Sequence, residues 1–379
     1  MRKPFFYLFL AVFTILVLEA IGYLALFFSS REFDFLSNKN YFFVRAMLMG
    51  NTDPEMLPRY LTVPYLGYVP YPGYKRNGIV QHNEDGYRGS KVHMNKGRGL
   101  RVLCLGGSTT YGTGVLTPAE TYPANLEHLL TLYIQQDSSL RLKYGSAEVI
   151  NGGLEAGTSA EELAQYVFKY RYYKPDVVVI HSAINDALVY ASTANGFQLD
   201  YTHYRRLNYH LEPLPNPARF FMKSYLFSFL TIKLFYSNFS VIQDEFMRQN
   251  DTVFPHWTEV NIDSVFAQQN YTMYPYYRNT ETLLSELAAD SVSTFILPGT
   301  LNRSSGFVKS NDKYSGYVDF NNNAAKRLSV GYKAYFVDFN YDSISQSGYW
   351  IDDCHLNREG EMEKATVVFN AVKLWLQKR

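Results

Sequence analysis

The sequence predicts an α/β protein with a mainly parallel, five-stranded sheet, preceded by one transmembrane helix and carrying a long insertion. Short apolar runs, each the length of a buried strand, recur from residue 102 onward and alternate with helical patterns. Strands that alternate with helices form parallel sheets with helices on both faces. About 100 residues separate the third apolar run from the fourth, far more than an ordinary loop contains.

The N-terminal apolar run, Phe5–Phe28, predicts a transmembrane helix. Its roughly 24 residues would span about 36 Å, which is enough to cross a bilayer with some tilt. Two basic residues precede the run and favour a cytoplasmic N-terminus. Because the run is longer than a usual signal-peptide core and no clear A-x-A site follows it, we expect a retained signal anchor over residues 1–30. Glu19 lies inside the run; of a functional carboxyl and a protonated or snorkelling one, we favour the second.

The rest of the chain is expected to divide into two parts. Residues 31–100 should be extended and rich in turns, because residues 65–74 contain Pro and Gly too often for a helix. The sheet domain should occupy residues 101–379, with an aromatic-rich insertion at about residues 190–280. The insertion contains Phe220–Tyr236, which we interpret as a lid or core helix rather than a helix on the bilayer surface.

The predicted sheet determines where chemistry is to be expected. Its strands are Val102–Leu105, Glu148–Ile150, Val177–Ile180, Thr294–Leu297 and Tyr335–Val337. Helical patterns cover Ala119–Leu132, Ser159–Tyr172 and Glu359–Gln377. In parallel sheets, ligand sites form at the carboxyl ends of the strands. The residues that directly follow each strand are therefore the candidates for a functional site.

The loop after the first strand, Gly106–Gly114, opens with two glycines that permit a tight turn. It is not a phosphate-binding P-loop, because Thr113 stands where that motif needs Lys. It is not the G-x-S-x-G elbow of α/β-hydrolases, because Thr110 occupies the last Gly position. On this segment alone, Ser108 is either a nucleophile at a strand-to-helix turn or a helix-capping residue.

Three further loops carry polar groups to the same edge of the predicted sheet. The backbone N–H of Gly157 either points at an anion or belongs to an ordinary turn. The amide of Asn185 either donates to an oxyanion or holds its own loop. Asp352 lies three residues before His355, and a carboxylate at that spacing can orient and stabilise the imidazole. A metal site that adds Asp353 to this pair is not favoured, and we expect no metal and no cofactor.

Composition excludes several classes of protein. The 379 residues include 36 basic and 35 acidic ones, a formal charge of +1, so no basic excess exists to hold a nucleic acid. With 47% hydrophobic and 19% charged residues the chain is not disordered, and two cysteines exclude a disulfide scaffold. The 33 tyrosines and 27 phenylalanines suit amphipathic ligands such as sugars, although ordinary core packing is the simpler explanation.

Taken together and in order, these motifs resemble the blocks of the SGNH (GDSL) hydrolase family. Ser108 in GGSTT is similar to the nucleophile of the first block, and Gly157 in NGGLEAGTSAEE to the glycine of the second. Asn185 in AIND is similar to the asparagine of the third block. Asp352 and His355 in DDCHLNREG are similar to the final D-x-x-H.

The resemblance implies a flavodoxin-like three-layer α/β/α fold and ester hydrolysis through an acyl-enzyme. It implies that Ser108 attacks the carbonyl carbon, that His355 is the base and that Asp352 orients the base. It also implies an oxyanion hole formed by the backbone N–H groups of Ser108 and Gly157 and by the side-chain amide of Asn185.

The resemblance covers about residues 101–190 and 290–379 and departs from the family pattern at one position. The third block usually reads G-x-N-D, whereas Ala183 replaces the Gly here, so we expect a narrower cleft or a slightly displaced Asn185. The segment Gly86–Gly89 is also similar to an upstream segment of bacterial members that carry an N-terminal membrane helix.

The sequence therefore predicts a membrane-anchored serine ester hydrolase whose catalytic domain lies outside the cytoplasm, in the periplasm or the extracellular space. Its expected partners are the lipid bilayer, through the N-terminal helix, and an O-acylated (O-acetylated) glycan or another small ester; no nucleic acid is expected. Two alternatives stay open: an O-acyltransferase with the same triad, in which a sugar hydroxyl replaces water, and a non-catalytic glycan-binding module.

Overall fold

The computed structural model describes residues 2–30, 59–63, 65–76, 78–191, 197–201, 224–227, 229–230, 259–267, 271–337 and 348–378. Most of the predicted insertion at about residues 190–280, including most of Phe220–Tyr236, lies outside the described residues, as do residues 31–58. The chain forms two compact units, one of Met1–Arg59 and Arg206–Pro255 and the other of Tyr60–Arg205 and His256–Arg379.

The first unit contains the predicted N-terminal helix, α1, which extends from Arg2 to Ser30. Its Lys3–Ala25 portion is long and apolar enough to cross a membrane, a property that signal sequences share. Glu19, which we expect to be protonated or to snorkel, is half-buried. Its carboxylate accepts hydrogen bonds from the Ser224 hydroxyl and, at 2.7 Å, from the Tyr225 backbone N–H. The carboxyl group therefore has partners inside its own unit.

The second unit contains the sheet. Its strands are, in chain order, β1 Tyr60–Val63, β2 Gly67–Pro70, β3 Lys75–Arg76, β4 Ile79–Val80, β5 Leu100–Gly106, β6 Ala147–Gly153, β7 Val177–His181, β8 Phe197–Gln198, β9 Glu259–Val260, β10 Ser293–Leu297 and β11 Tyr335–Phe336. Strands β5, β6, β7, β10 and β11 form one parallel sheet in the order β11-β10-β7-β5-β6. The pairs β1-β2, β3-β4 and β8-β9 are short antiparallel ladders. All five predicted strands are present, which confirms the predicted fold class.

Helices cover both faces of this sheet. They are α2 Ser108–Tyr111, α3 Tyr122–Gln136, α4 Ser138–Tyr144, α5 Ser159–Phe168, α6 Ile184–Ala191, α7 Ile262–Ala267, α8 Pro275–Ala289, α9 Gly306–Ser310, α10 Asp312–Gly331 and α11 Arg358–Leu376, with 3₁₀ turns at Pro118–Glu120, Tyr170–Tyr173 and Tyr271–Met273. Successive side chains of a strand point to opposite faces. Leu103 and Leu105 accordingly pack in the cluster that includes α8 and α10, whereas Val102 and Cys104 pack in the cluster that includes α3 and α11.

Local chemistry explains why α3 begins later than the predicted Ala119. The Thr121 side chain accepts a hydrogen bond from the Ala124 N–H and caps the helix, and Pro123 occupies its first turn, where proline is tolerated. The preceding residues form a separate 3₁₀ turn with its own capping box. The spacing of apolar residues does not distinguish this turn from the helix that follows it.

Candidate active site

Ser108 lies at the junction of β5 and α2. A side chain on Gly106 would overlap the His181 carbonyl oxygen, so this position requires glycine, and one on Gly107 would displace the Asn185 amide. Ser108 is the first residue of α2. Its backbone N–H therefore belongs to the donors at a helix N-terminus that lack a partner within the helix.

The loop before α11 brings His355 and Asp352 to Ser108. The His355 Nε2 atom lies 2.8 Å from the Ser108 hydroxyl oxygen, and its Nδ1 atom lies 2.7 Å from Asp352 Oδ2. The backbone N–H groups of Cys354 and His355 donate to Asp352 Oδ1 at 3.0 and 2.8 Å. Asp352 is thus fixed by its own loop, and the three side chains form one continuous chain of hydrogen bonds.

The charges of this pair are set by its contacts. Burial alone lowers the pKa of His355, but the hydrogen bond to Asp352 and the nearby Cys354 thiol outweigh it and raise the pKa to about 10. Burial alone raises the pKa of Asp352, but the hydrogen bonds from His355 and the Cys354 N–H hold that pKa at about 2. Asp352 is therefore ionised and stabilises an imidazolium, the form that His355 adopts after it has taken a proton.

Asn185 lies beside the backbone that carries Ser108. Its Nδ2 atom donates to the Gly157 carbonyl oxygen at 2.7 Å and is in close contact with Gly107. An amide nitrogen carries two protons, so one remains for a ligand. The Gly157 N–H donates to the Leu154 carbonyl oxygen at 2.8 Å and closes its own turn. The structure therefore brings Asn185 and Gly157 to Ser108 but holds the Gly157 donor in a backbone bond.

Ala183 replaces the glycine of the usual third block and keeps a glycine-like backbone. Its φ of 93° lies in the region that residues other than glycine rarely adopt. The Ala183 carbonyl oxygen accepts from the Asn321 side chain at 2.8 Å and from the Ala187 N–H at 3.2 Å. These bonds hold a conformation that costs about 1–3 kcal/mol.

Asp186 was not among the predicted site residues, yet it joins two of the loops. Its buried carboxylate accepts from the Ser159 N–H at 3.0 Å, the Ser159 hydroxyl at 2.5 Å and the Tyr201 hydroxyl at 2.6 Å. Burial raises the pKa of this group. Asp186 thus connects the start of α5, next to Gly157, to the helix that carries Asn185.

The Gly86–Gly89 segment packs against the residues that follow Ser108. The buried Arg88 guanidinium donates to the Val115 carbonyl oxygen at 2.6 Å and lies 4.7 Å from the centre of the Tyr111 ring. The Tyr111 hydroxyl lies 2.7 Å from His82 Nε2. Residues upstream of the sheet thus pack against the end of α2.

A cleft with about 220 Å³ of empty space, part of it open to solvent, is lined by Gly107, Ser108, Thr109, Gly157, His181, Ser182, Ala183, Ile184 and Asn185. One group in the described part of the chain has the chemistry of a metal site: ligand atoms of Asp352, Cys354 and His355 lie within 4.8 Å of one another. A cation there would displace the bond between Asp352 and His355. A metal ion bound by these three residues would therefore inhibit the enzyme rather than act as its cofactor.

One family model and several solved structures are similar to this chain. Residues 104–362 match the model of the family described as GDSL-like Lipase/Acylhydrolase. No curated protein sequence matches the chain. Among solved structures, a protein described as a GDSL-like lipase from Parabacteroides merdae is 13% identical, with a TM-score of 0.44 over 74% of this chain and 99% of that one. The lipase/acylhydrolase from Enterococcus faecalis is 13% identical, with a TM-score of 0.40 over 72% and 95%. A catalytic mutant of Axe2, an acetylxylan esterase from Geobacillus stearothermophilus, is 17% identical, with a TM-score of 0.38 over 73% and 94%.

Proposed function

Because the chain belongs to the GDSL-like lipase/acylhydrolase family and is an ester-hydrolysing enzyme, we propose that Ser108 is its nucleophile, His355 its general base and Asp352 the residue that orients the base. The observation that carries this assignment is the unbroken chain of hydrogen bonds, 2.8 Å from Ser108 to His355 and 2.7 Å from His355 to Asp352.

The proposed reaction has two steps with one proton carrier. Ser108 Oγ attacks the ester carbonyl while His355 Nε2 takes the hydroxyl proton, and His355 then gives that proton to the leaving alcohol. The resulting acyl-Ser108 is attacked by water, again with His355 as base, and a carboxylic acid leaves. Asp352 stays ionised throughout and stabilises the imidazolium.

The oxyanion of each tetrahedral intermediate is bound in this proposal by the Ser108 N–H and the free proton of the Asn185 amide. The Gly157 N–H becomes a third donor only when its bond to Leu154 opens. Formation of the tetrahedral intermediate supplies the charge that favours such an opening, because an oxyanion is a stronger acceptor than the neutral carbonyl of the bound ester.

The substrate is proposed to be an O-acyl, and most simply an O-acetyl, group on a glycan or another small ester. The support is the tyrosines next to the second loop of the site. Tyr60 and Tyr68 donate to the side chain and carbonyl of Glu155, at 2.6 and 2.5 Å, two residues from Gly157. Because both hydroxyls are bound to Glu155, we propose that the partly exposed rings of these tyrosines supply apolar surface on which a sugar packs.

Helix α1 supports a further proposal, that the enzyme is anchored in a membrane and that the unit with the sheet lies outside the cytoplasm.

Hydrolysis of 4-nitrophenyl acetate and of acetylated xylo-oligosaccharides tests the assignment. Ser108→Ala should lower kcat by at least about a thousandfold, whereas Ser90→Ala, a change at an exposed serine, should leave it unchanged. Retained hydrolysis by pure, folded Ser108→Ala protein would show that the nucleophile is elsewhere. Product analysis with and without an acceptor sugar separates hydrolysis from acyl transfer, and hydrolysis is the expected result.

A further inference from the structure

Lys364 is a buried cation behind the nucleophile that the proposed mechanism does not use. Its Nζ atom donates to the Thr109 carbonyl oxygen at 2.7 Å and to Glu361 Oε1 at 2.8 Å. The ammonium also lies 4.6 Å from the centre of the Tyr122 ring. The side chain is 0% exposed and that of Glu361 is 2% exposed. Thr109 directly follows Ser108, so this ammonium binds the backbone of the nucleophile turn.

Stability alone is a weak reason for this arrangement. A buried ion pair loses the hydration of both charges, and apolar side chains of similar volume often stabilise a fold equally well or better. What an ammonium offers, and an apolar side chain does not, is a directional, charge-assisted bond to a carbonyl oxygen. The Lys364 bond to Thr109 therefore calls for an explanation in terms of geometry.

The bond connects the two elements whose relative position the reaction requires. Thr109 belongs to α2, which begins at Ser108, and Lys364 belongs to α11, which begins three residues after His355. The Asn357 side chain caps α11 by accepting from the Gly360 N–H at 3.0 Å, so the histidine loop leads directly into this helix. A hydrogen bond between α2 and α11 therefore helps to fix the distance between the nucleophile and the base.

Resting on the proposed function, we propose that Lys364 is a positioning residue, which holds Ser108 at hydrogen-bonding distance from His355 by binding the Thr109 carbonyl oxygen. Loss of the bond should move the serine within its turn without changing the groups that bind the rest of the substrate. A misplacement of about 1 Å can cost roughly a hundredfold in rate. The loss should therefore fall on kcat rather than on KM.

Glu361, the ion-pair partner of Lys364, can be neutralised together with it. Glu361 Oε2 accepts the Tyr122 backbone N–H at 2.7 Å and so satisfies the start of α3. Glu361→Gln keeps an acceptor at that position. The double variant Lys364→Met/Glu361→Gln therefore removes the bond to Thr109 and leaves no unpaired buried charge, which is the usual reason such variants unfold.

The experiment compares this double variant with wild type and with Lys373→Met, the same substitution on the same helix at a lysine that lies over the Tyr133 and Phe369 rings. We expect kcat to fall by about ten- to a hundredfold and KM to change less than about threefold. The apparent pKa of the kcat profile should not move, because the double variant removes one positive and one negative charge together and leaves the His355–Asp352 bond in place. Lys364→Arg, which keeps a donor for Thr109, should retain at least about ten times the kcat of the double variant.

Three results would overturn the positioning role. They are a folded double variant with kcat within about threefold of wild type, an equal loss of kcat in Lys373→Met, and a Lys364→Arg variant that loses as much as the double variant. If the double variant does not fold, the test rests on Lys364→Arg alone. A fall in the kcat of Lys364→Arg by more than about a hundredfold then contradicts the proposal. Ser108→Ala is measured in parallel: only hydrolysis that persists in that variant counts against the proposed function itself.

Discussion

Asn185 uses one amide proton to hold the Gly157 carbonyl oxygen, and we propose that its second amide proton binds the oxyanion. We predict that Asn185→Ala lowers kcat by about a hundred- to a thousandfold, the usual effect of removing one oxyanion donor, with a smaller change in KM. Asn185→Asp should be at least as damaging, because an ionised carboxylate repels the oxyanion. Steady-state kinetics decides: a loss of kcat below about threefold would mean that this side chain does not serve the oxyanion hole.

Asp186→Asn is the matched control for that experiment. Asp186 faces Ser159 and Tyr201 rather than the cleft, so its amide variant should lose less kcat than Asn185→Ala. An equal loss would mean that the two loops, rather than the Asn185 amide, determine the rate.

The pH dependence of the rate reports the state of His355. Because Asp352 raises the pKa of His355, the base loses its proton at a higher pH than an ordinary histidine does, and kcat/KM should rise with pH as the neutral imidazole forms. Asp352→Asn removes the charge that stabilises the imidazolium. It should therefore shift the apparent pKa downward and lower the plateau. A profile whose midpoint does not move in Asp352→Asn would contradict this coupling.

Residue types and spacing were enough to select Ser108, Asp352 and His355 as candidates that the structure brings together, because short motifs at strand ends carry them. They did not predict Lys364 or Asp186, whose importance depends on long-range contacts. A signal for Lys364 was nevertheless present. Glu361 and Lys364 fall on the face of α11 that continues through Ala365 and Val368 into the core, and charges on an apolar face need buried partners.

At the scale of elements, α1 presents one face to residues 224–226. The Tyr23 and Tyr225 rings meet edge to face with centroids 5.3 Å apart, and a side chain on Gly22 would overlap the Leu226 backbone. Together with the bonds that Glu19 accepts, these contacts place three residues of one helical face, Glu19, Gly22 and Tyr23, against the same segment.

We predict that Tyr23→Cys/Tyr225→Cys, in a Cys354→Ala background, is linked by a short bifunctional thiol-reactive crosslinker that spans the space of the two rings, and that the linked peptides are found by mass spectrometry. Leu16→Cys/Tyr225→Cys is the control, since Leu16 lies two helical turns, about 10 Å, from Tyr23. Equal crosslinking of both pairs, or of neither, would contradict the contact. The linked peptide would also show that α1 is retained in the mature chain.

The strands of the sheet were predicted more closely than the helices, because buried parallel strands are short continuous apolar runs. Helix boundaries depended on caps such as Thr121 and on turns such as Tyr170–Tyr173, which the periodicity of apolar residues does not distinguish from helix. Ala183 shows the same limit. The added methyl group predicted a narrower cleft or a displaced Asn185, but the sequence does not indicate that the Ala183 backbone keeps a φ of 93°.

For the molecule as a whole, the central claim is that Ser108 forms the covalent intermediate. The most direct measurement is labelling of the full chain with a serine-reactive alkyl phosphonate, followed by mass spectrometry of the digested protein. We predict one label per chain, on Ser108, that abolishes hydrolysis in proportion to its extent and is absent from Ser108→Ala. A label on another residue, or full hydrolysis by a completely labelled enzyme, would contradict it.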